Sequence, residues 1–123
     1  MMITPEQEKE LRRAWKERAA RREEEEKQRR VQAMEKAKAA ARLLKEKYKA
    51  ERVYLFGSLL WGRHFTERSD IDLLVVGFPR AASYWKMLCD LEEVASPFEV
   101  NAVLAEDAFA SLKERVFREG KEL

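Results

Sequence analysis

The stretch FGSLLWGRHFTERSDIDLLVV, residues 56–76, decides how this chain is read. A short apolar run, Val53–Phe56, ends at Gly57–Ser58, and a second, Ile71–Val76, is closed by Gly77 and Pro79. Runs of that length, bounded by glycine and proline, read as buried strands. Asp70 and Asp72 stand at the mouth of the second run. Side chains alternate along a strand, so the two acids share one face, and Ile71 and Leu73 share the other. Two carboxylates held that close repel, and one takes up a proton unless a cation neutralises them. Hard oxygen donors suit Mg²⁺, which commonly shares its shell with substrate phosphates. The plain alternative is that both acids end a strand in water. Gly57 lets the backbone approach a ligand closely, and a helix start after it would offer N–H groups to phosphate.

Upstream, residues 5–49 contain no glycine, and their only proline is Pro5. Thr4 suits a helix N-cap, with Pro5 at the first position and Gln7 completing a capping box. The stretch that follows is rich in Ala, Glu, Lys, Arg and Gln, which predicts one long helix. From Lys16 to Arg30 its only apolar residues are Ala19 and Ala20, so this half buries little. From Val31 the apolar residues Val31, Met34, Ala37, Ala41, Leu44 and Tyr48 recur at spacings of three and four, a face that packs on the rest of the chain. Domains are therefore expected as a charged helical extension, residues 1–30, and a globular unit, residues 31–123.

Downstream, Ser58–Phe65 reads as a turn or short helix. Ala81–Val94 reads as a helix with Tyr84, Trp85, Leu88, Leu91 and Val94 inward and Cys89 in its core. Pro97–Leu104 alternates as a third strand, with Phe98, Val100 and Ala102 on one face and Glu99, Asn101 and Val103 on the other. Glu106–Glu119 reads as a closing helix with Phe109, Leu112, Val116 and Phe117 on its apolar side, ended by Gly120. The expected fold is α/β (α+β): a small mixed sheet with helices packed on one face, preceded by a long N-terminal helix.

Composition narrows the function. Through Arg52 there are 17 Lys and Arg against 11 Asp and Glu; beyond it there are 8 against 12. A basic solvated part thus precedes a mildly acidic body. The single cysteine excludes an internal disulfide and suits a reducing cytoplasm. No signal peptide or membrane-length apolar run is present, so a cytoplasmic protein is expected. Arg12, Arg13, Arg18, Arg21, Arg22, Arg29 and Arg30 suggest nucleic-acid phosphate, but Glu23–Glu26 interrupts them. Pairs at i, i+4 explain the same charges as a solvated helix, so nucleic acid is disfavoured. Self-association through Leu11, Trp15 and their neighbours is the other use considered for this helix.

The combined motif, Phe56-Gly57-Ser58 with Gly62, then Ser69-Asp70-Ile71-Asp72-Leu73-Leu74-Val75, resembles that of the minimal nucleotidyltransferases of the DNA polymerase β-like superfamily. The resemblance implies that Asp70 and Asp72 hold Mg²⁺ against ATP or another nucleoside triphosphate, and that Gly57 and Ser58 hold its β- and γ-phosphates. It also implies a third carboxylate on a later strand, for which Glu99 is the candidate as metal ligand or catalytic base, with Asn101 second. Where the family often places an arginine after Gly-Ser, this chain has Leu59 and Trp61. Arg63 and Arg68 are the nearest cations in that loop. His64 is expected as an ordinary loop residue, and Trp61 as a buried or base-stacking one. The group resembles antitoxins that pair with a HEPN-type toxin, some of which transfer AMP to it. The implied function is therefore Mg²⁺-dependent transfer of a nucleoside monophosphate to a partner's hydroxyl. The alternative is a catalytically weak module that neutralises a partner by binding.

Overall fold

The structure, a computed structural model, describes residues 2–123. It begins with helix α1, Pro5–Glu46, which is 42 residues and so about 63 Å long. Its start is capped as the sequence predicts: Gln7 N–H donates to Thr4 Oγ1 at 3.1 Å, and Thr4 N–H donates to Gln7 Oε1 at 2.9 Å. Strand β1 (Arg52–Phe56), one-turn helix α2 (Ser58–Trp61), strand β2 (Ile71–Val76) and helix α3 (Tyr84–Ala95) follow. Strand β3 (Val100–Leu104), a 3-10 turn (Ala105–Asp107), helix α4 (Ala110–Glu119) and a two-residue strand β4 (Lys121–Glu122) complete the chain.

The sheet order is β3-β2-β1-β4. β1 runs antiparallel to β2 and β4, and β2 runs parallel to β3. A parallel pair needs a crossover connection, and α3 provides it. Val53 and Leu55 of β1 and Ile71, Leu73 and Val75 of β2 are buried on one face, in one cluster with α1 and α3. α1 contributes Ala33, Ala37, Ala40, Ala41 and Leu44. Four alanines let the helix backbone approach the sheet closely, which a row of larger side chains would prevent. α4 crosses the other face, where Tyr54 meets Phe117 edge-on with ring centroids 5.3 Å apart. Helices on one face thus describes α1 and α3, while α4 shields part of the second face.

Several expectations are corrected. Val31 is exposed, because it lies off the buried face of α1, which carries Ala33, Ala37, Ala40, Ala41 and Leu44. Cys89 and Trp85 are exposed, since α3 turns Met87, Leu91 and Ala95 inward. Phe109 is 82% exposed, because the closing helix starts only at Ala110, after the 3-10 turn. Among the described residues, no helix is long and apolar enough to cross a membrane.

Candidate active site

β1 delivers Phe56 beside Asp72 of β2, and β3 delivers Asn101 on the other side of Asp72. The three side chains therefore share the sheet face that α1 and α3 leave uncovered. Immediately after Phe56 the chain turns at Gly57, with φ +78° and ψ −156°. Side chains rarely adopt that backbone, and a Cβ built there would lie 2.1 Å from Asp72 Oδ2. Glycine is thus required twice, by the turn and by the carboxylate that occupies the space of a side chain. α2 follows as a single turn in which Leu60 and Trp61 N–H donate to Gly57 O and Gly62 N–H donates to Ser58 O. The Gly57–Ser58 turn and the acid pair are consequently one site.

Asp70 and Asp72 are joined by a side chain from β3. Asn101 Nδ2 donates to Asp70 Oδ2 at 3.2 Å and to Asp72 Oδ1 at 3.1 Å. Burial pushes the Asp72 carboxyl above the ordinary carboxylate range; the Asn101 hydrogen bond opposes this, and the charge of Asp70 adds to it. Among the described residues no lysine, arginine or histidine pairs with either acid. Two adjacent carboxylates, one half-buried against a glycine, with no cation of the chain beside them, are a hard-oxygen donor set that fits Mg²⁺. An open groove of about 580 Å³ leads from Asp72 and Asn101, between Phe56, Leu112 and Tyr84.

Glu99 is placed differently from the two aspartates. It precedes β3, its side chain is exposed, and its backbone carbonyl accepts the Ile71 N–H at 2.9 Å. Among the described residues no three of His, Cys, Asp and Glu converge as a metal-holding group. The third side chain actually touching the pair is Asn101. The signal for it was present in the sequence: alternation along β3 puts residues 99 and 101 on one face, and the register with β2 then decides between them. Arg63 and Arg68 are exposed, and neither pairs with the acids. His64 is exposed with Nδ1 3.3 Å from Glu26 Oε2. Trp61 is held, with Nε1–H donating to Glu119 O at 3.2 Å and the Arg115 guanidinium 3.9 Å over its ring.

A Gly-Ser turn packed on an Asp-x-Asp pair at the end of a mixed sheet is the arrangement of a small domain with the nucleotidyltransferase fold. Residues 38–123 match the family described as Polymerase beta, Nucleotidyltransferase, and the chain belongs to that family. It is similar to a chain in the crystal structure of a mutant of the toxin–antitoxin MntA-HpeT, with 29% identity and a TM-score of 0.50 over 66% of this chain. The match covers 64% of that chain's length. No curated protein matches the chain.

Proposed function

We propose that this protein transfers a nucleoside monophosphate, AMP from ATP, to a hydroxyl on a partner protein, as the antitoxin of a pair with a HEPN-type toxin. The single observation that carries the reading is the packing of Asp72 on Gly57, which makes one site of the phosphate turn and the acid pair. Likeness to a toxin–antitoxin structure supports the partner class. Asp70 and Asp72 would hold Mg²⁺, and Gly57 and Ser58 would hold the β- and γ-phosphates. When bound, the cation supplies charge neutralisation on the phosphates. The acceptor oxygen forms a bond to the α-phosphorus as the bond to the β-phosphate oxygen breaks, and pyrophosphate leaves. Glu99, at the mouth of β3, takes the proton of the acceptor hydroxyl. Phosphoryl-type transfer depends mainly on positioning and charge neutralisation, so an open site with few side chains suffices.

The test uses purified protein, Mg²⁺, ATP labelled in its α-phosphate, and the product of the adjacent gene. The label passes to that product, and an Asp70→Asn, Asp72→Asn double variant loses the transfer. Equal labelling by the double variant would remove both acids from the mechanism. A second reading, neutralisation by binding alone, is favoured by Asn101. An amide stands where a third anion would complete the donor set, and it can neither add negative charge nor accept a proton. Toxin inhibition that survives the double variant, without labelling by the unaltered chain, selects that reading.

A further inference from the structure

We propose that Arg30, on the long N-terminal helix, is a positioning residue that holds the Gly57–Ser58 turn against the acid pair. The inference rests on the nucleotide reading of that turn. A helix leaves its last carbonyls without partners, and in a one-turn helix such as α2 those are most of its hydrogen-bonding capacity. Arg30 supplies donors to two carbonyls at this end, one in α2 and one at its cap: Nη1–H donates to Leu59 O at 2.9 Å and Nη2–H to Gly62 O at 2.7 Å. The guanidinium fork caps the C-terminal end of α2, and a cation there also favours the helix dipole.

Neighbouring side chains on α1 extend the grip along the same loop. Glu26 Oε1 accepts the Phe65 N–H at 2.7 Å, and Arg29 Nη1–H donates to Phe65 O at 3.3 Å. Phe65 itself is fully buried beneath them. On the opposite side, Trp61 is tied to Glu119 and stacked under Arg115. The loop between β1 and β2 is therefore clamped between α1 and α4, and it carries the phosphate turn at one end and Asp70 at the other. Glu26, Arg29 and Arg30 all lie before residue 38, where the family match begins. The α1 half of the clamp is thus made by the segment before that match, which the sequence reads as an extension.

The experiment compares full-length protein with its Arg30→Gln and Arg30→Lys variants, with Arg12→Gln as control on the solvated part of α1. Backbone amide exchange is read at Leu60, Trp61 and Gly62, and Mg²⁺-ATP binding is titrated. Loss of charged hydrogen bonds to two carbonyls speeds exchange at those amides about tenfold in Arg30→Gln and weakens nucleotide binding by a similar factor. Amides of β2 keep their protection. Arg30→Lys, which keeps the charge without the fork, recovers part of both effects, and Arg12→Gln changes neither. Unchanged exchange in Arg30→Gln overturns the proposal, as does an equal rise throughout β2, which would make Arg30 a general stabiliser. Local exchange that rises in a protein whose unaltered form binds no nucleotide leaves the clamp standing and refutes the nucleotide reading instead.

Discussion

Replacing Asn101 by aspartate tests the geometry of the acid pair directly. In the native chain one amide nitrogen donates to both acids, at 3.2 and 3.1 Å. Asn101→Asp exchanges two donated hydrogen bonds for two like-charge contacts. A hydrogen bond to an ionised acceptor contributes about 1.5–3 kcal/mol when buried, and roughly 1 kcal/mol at a site as exposed as this one. Repulsion between unit charges about 4 Å apart adds on the order of 1 kcal/mol in water. The variant should therefore lose about 4 kcal/mol near neutral pH in the presence of a chelator. For a chain of this size that lowers Tm by roughly 15 °C. Mg²⁺ should restore most of the loss, because the cation satisfies three carboxylates better than two, and it should raise the Tm of the native chain less. Thermal unfolding with chelator and with Mg²⁺ measures all four values. A variant that melts with the native chain in chelator refutes the bridge, and equal Mg²⁺ responses refute the cation site. In the label-transfer assay the same variant should outperform the native chain if the missing third anion limits the reaction.

Three other perturbations have outcomes set by the structure. Gly57→Ala should cost about 2–3 kcal/mol in denaturant unfolding and abolish nucleotide binding, since it forces a Cβ onto the Asp72 carboxylate at a positive φ. Phe65→Ala should cost about 3–5 kcal/mol, because Phe65 is fully buried under the clamp and its loss opens a cavity there. The Asp90 carboxyl, which accepts from Lys47 and from the Tyr48 hydroxyl, is held below the ordinary carboxylate range chiefly by the Lys47 hydrogen bond. Its stabilisation is present above the ordinary carboxylate pKa and lost as pH falls through the lowered one. Asp90→Asn should therefore melt below the native chain at neutral pH, and the gap should close in acid. Asp72 has the opposite sign: its raised pKa makes the folded state weaker as pH rises through the window between the ordinary and the raised value.

How much of this was legible depends on whether the deciding force is local. The Thr4–Gln7 cap, strands over 53–56 and 71–76 and the face shared by Asp70 and Asp72 follow from neighbours in sequence, and all are present, the first strand beginning one residue earlier, at Arg52. Of the face expected from Val31 onward, Ala37, Ala41, Leu44 and Tyr48 are buried, whereas Val31 at its start is exposed, off the buried side. Cys89 failed because a helical period tells which residues share a side, while tertiary packing decides which side is buried; Phe109 failed because the closing helix starts only after it. The choice between Glu99 and Asn101 needed the β2–β3 register, which no local pattern contains. β4 is two residues long and pairs with Tyr54 and Leu55 far upstream, so composition could not mark it.

The boundary at residue 30 follows hydrophobic packing alone, and the polar contacts of α1 reach across it. By hydrophobic pattern the stretch from Lys16 to Arg30 buries little, and the family match starts later still. Yet the first tertiary hydrogen bonds from α1 come from Glu26, Arg29 and Arg30. The reason is electrostatic rather than hydrophobic. A one-turn helix with unpaired carbonyls and a loop with an unpaired N–H require donors and acceptors, and long charged side chains reach them without burying apolar area. Such contacts are invisible to any period in hydropathy. They are specified instead by the orphan backbone groups of the loop that Arg30 and Glu26 serve. A functional unit defined by what holds its site in place therefore begins one to two helical turns before the unit defined by its core.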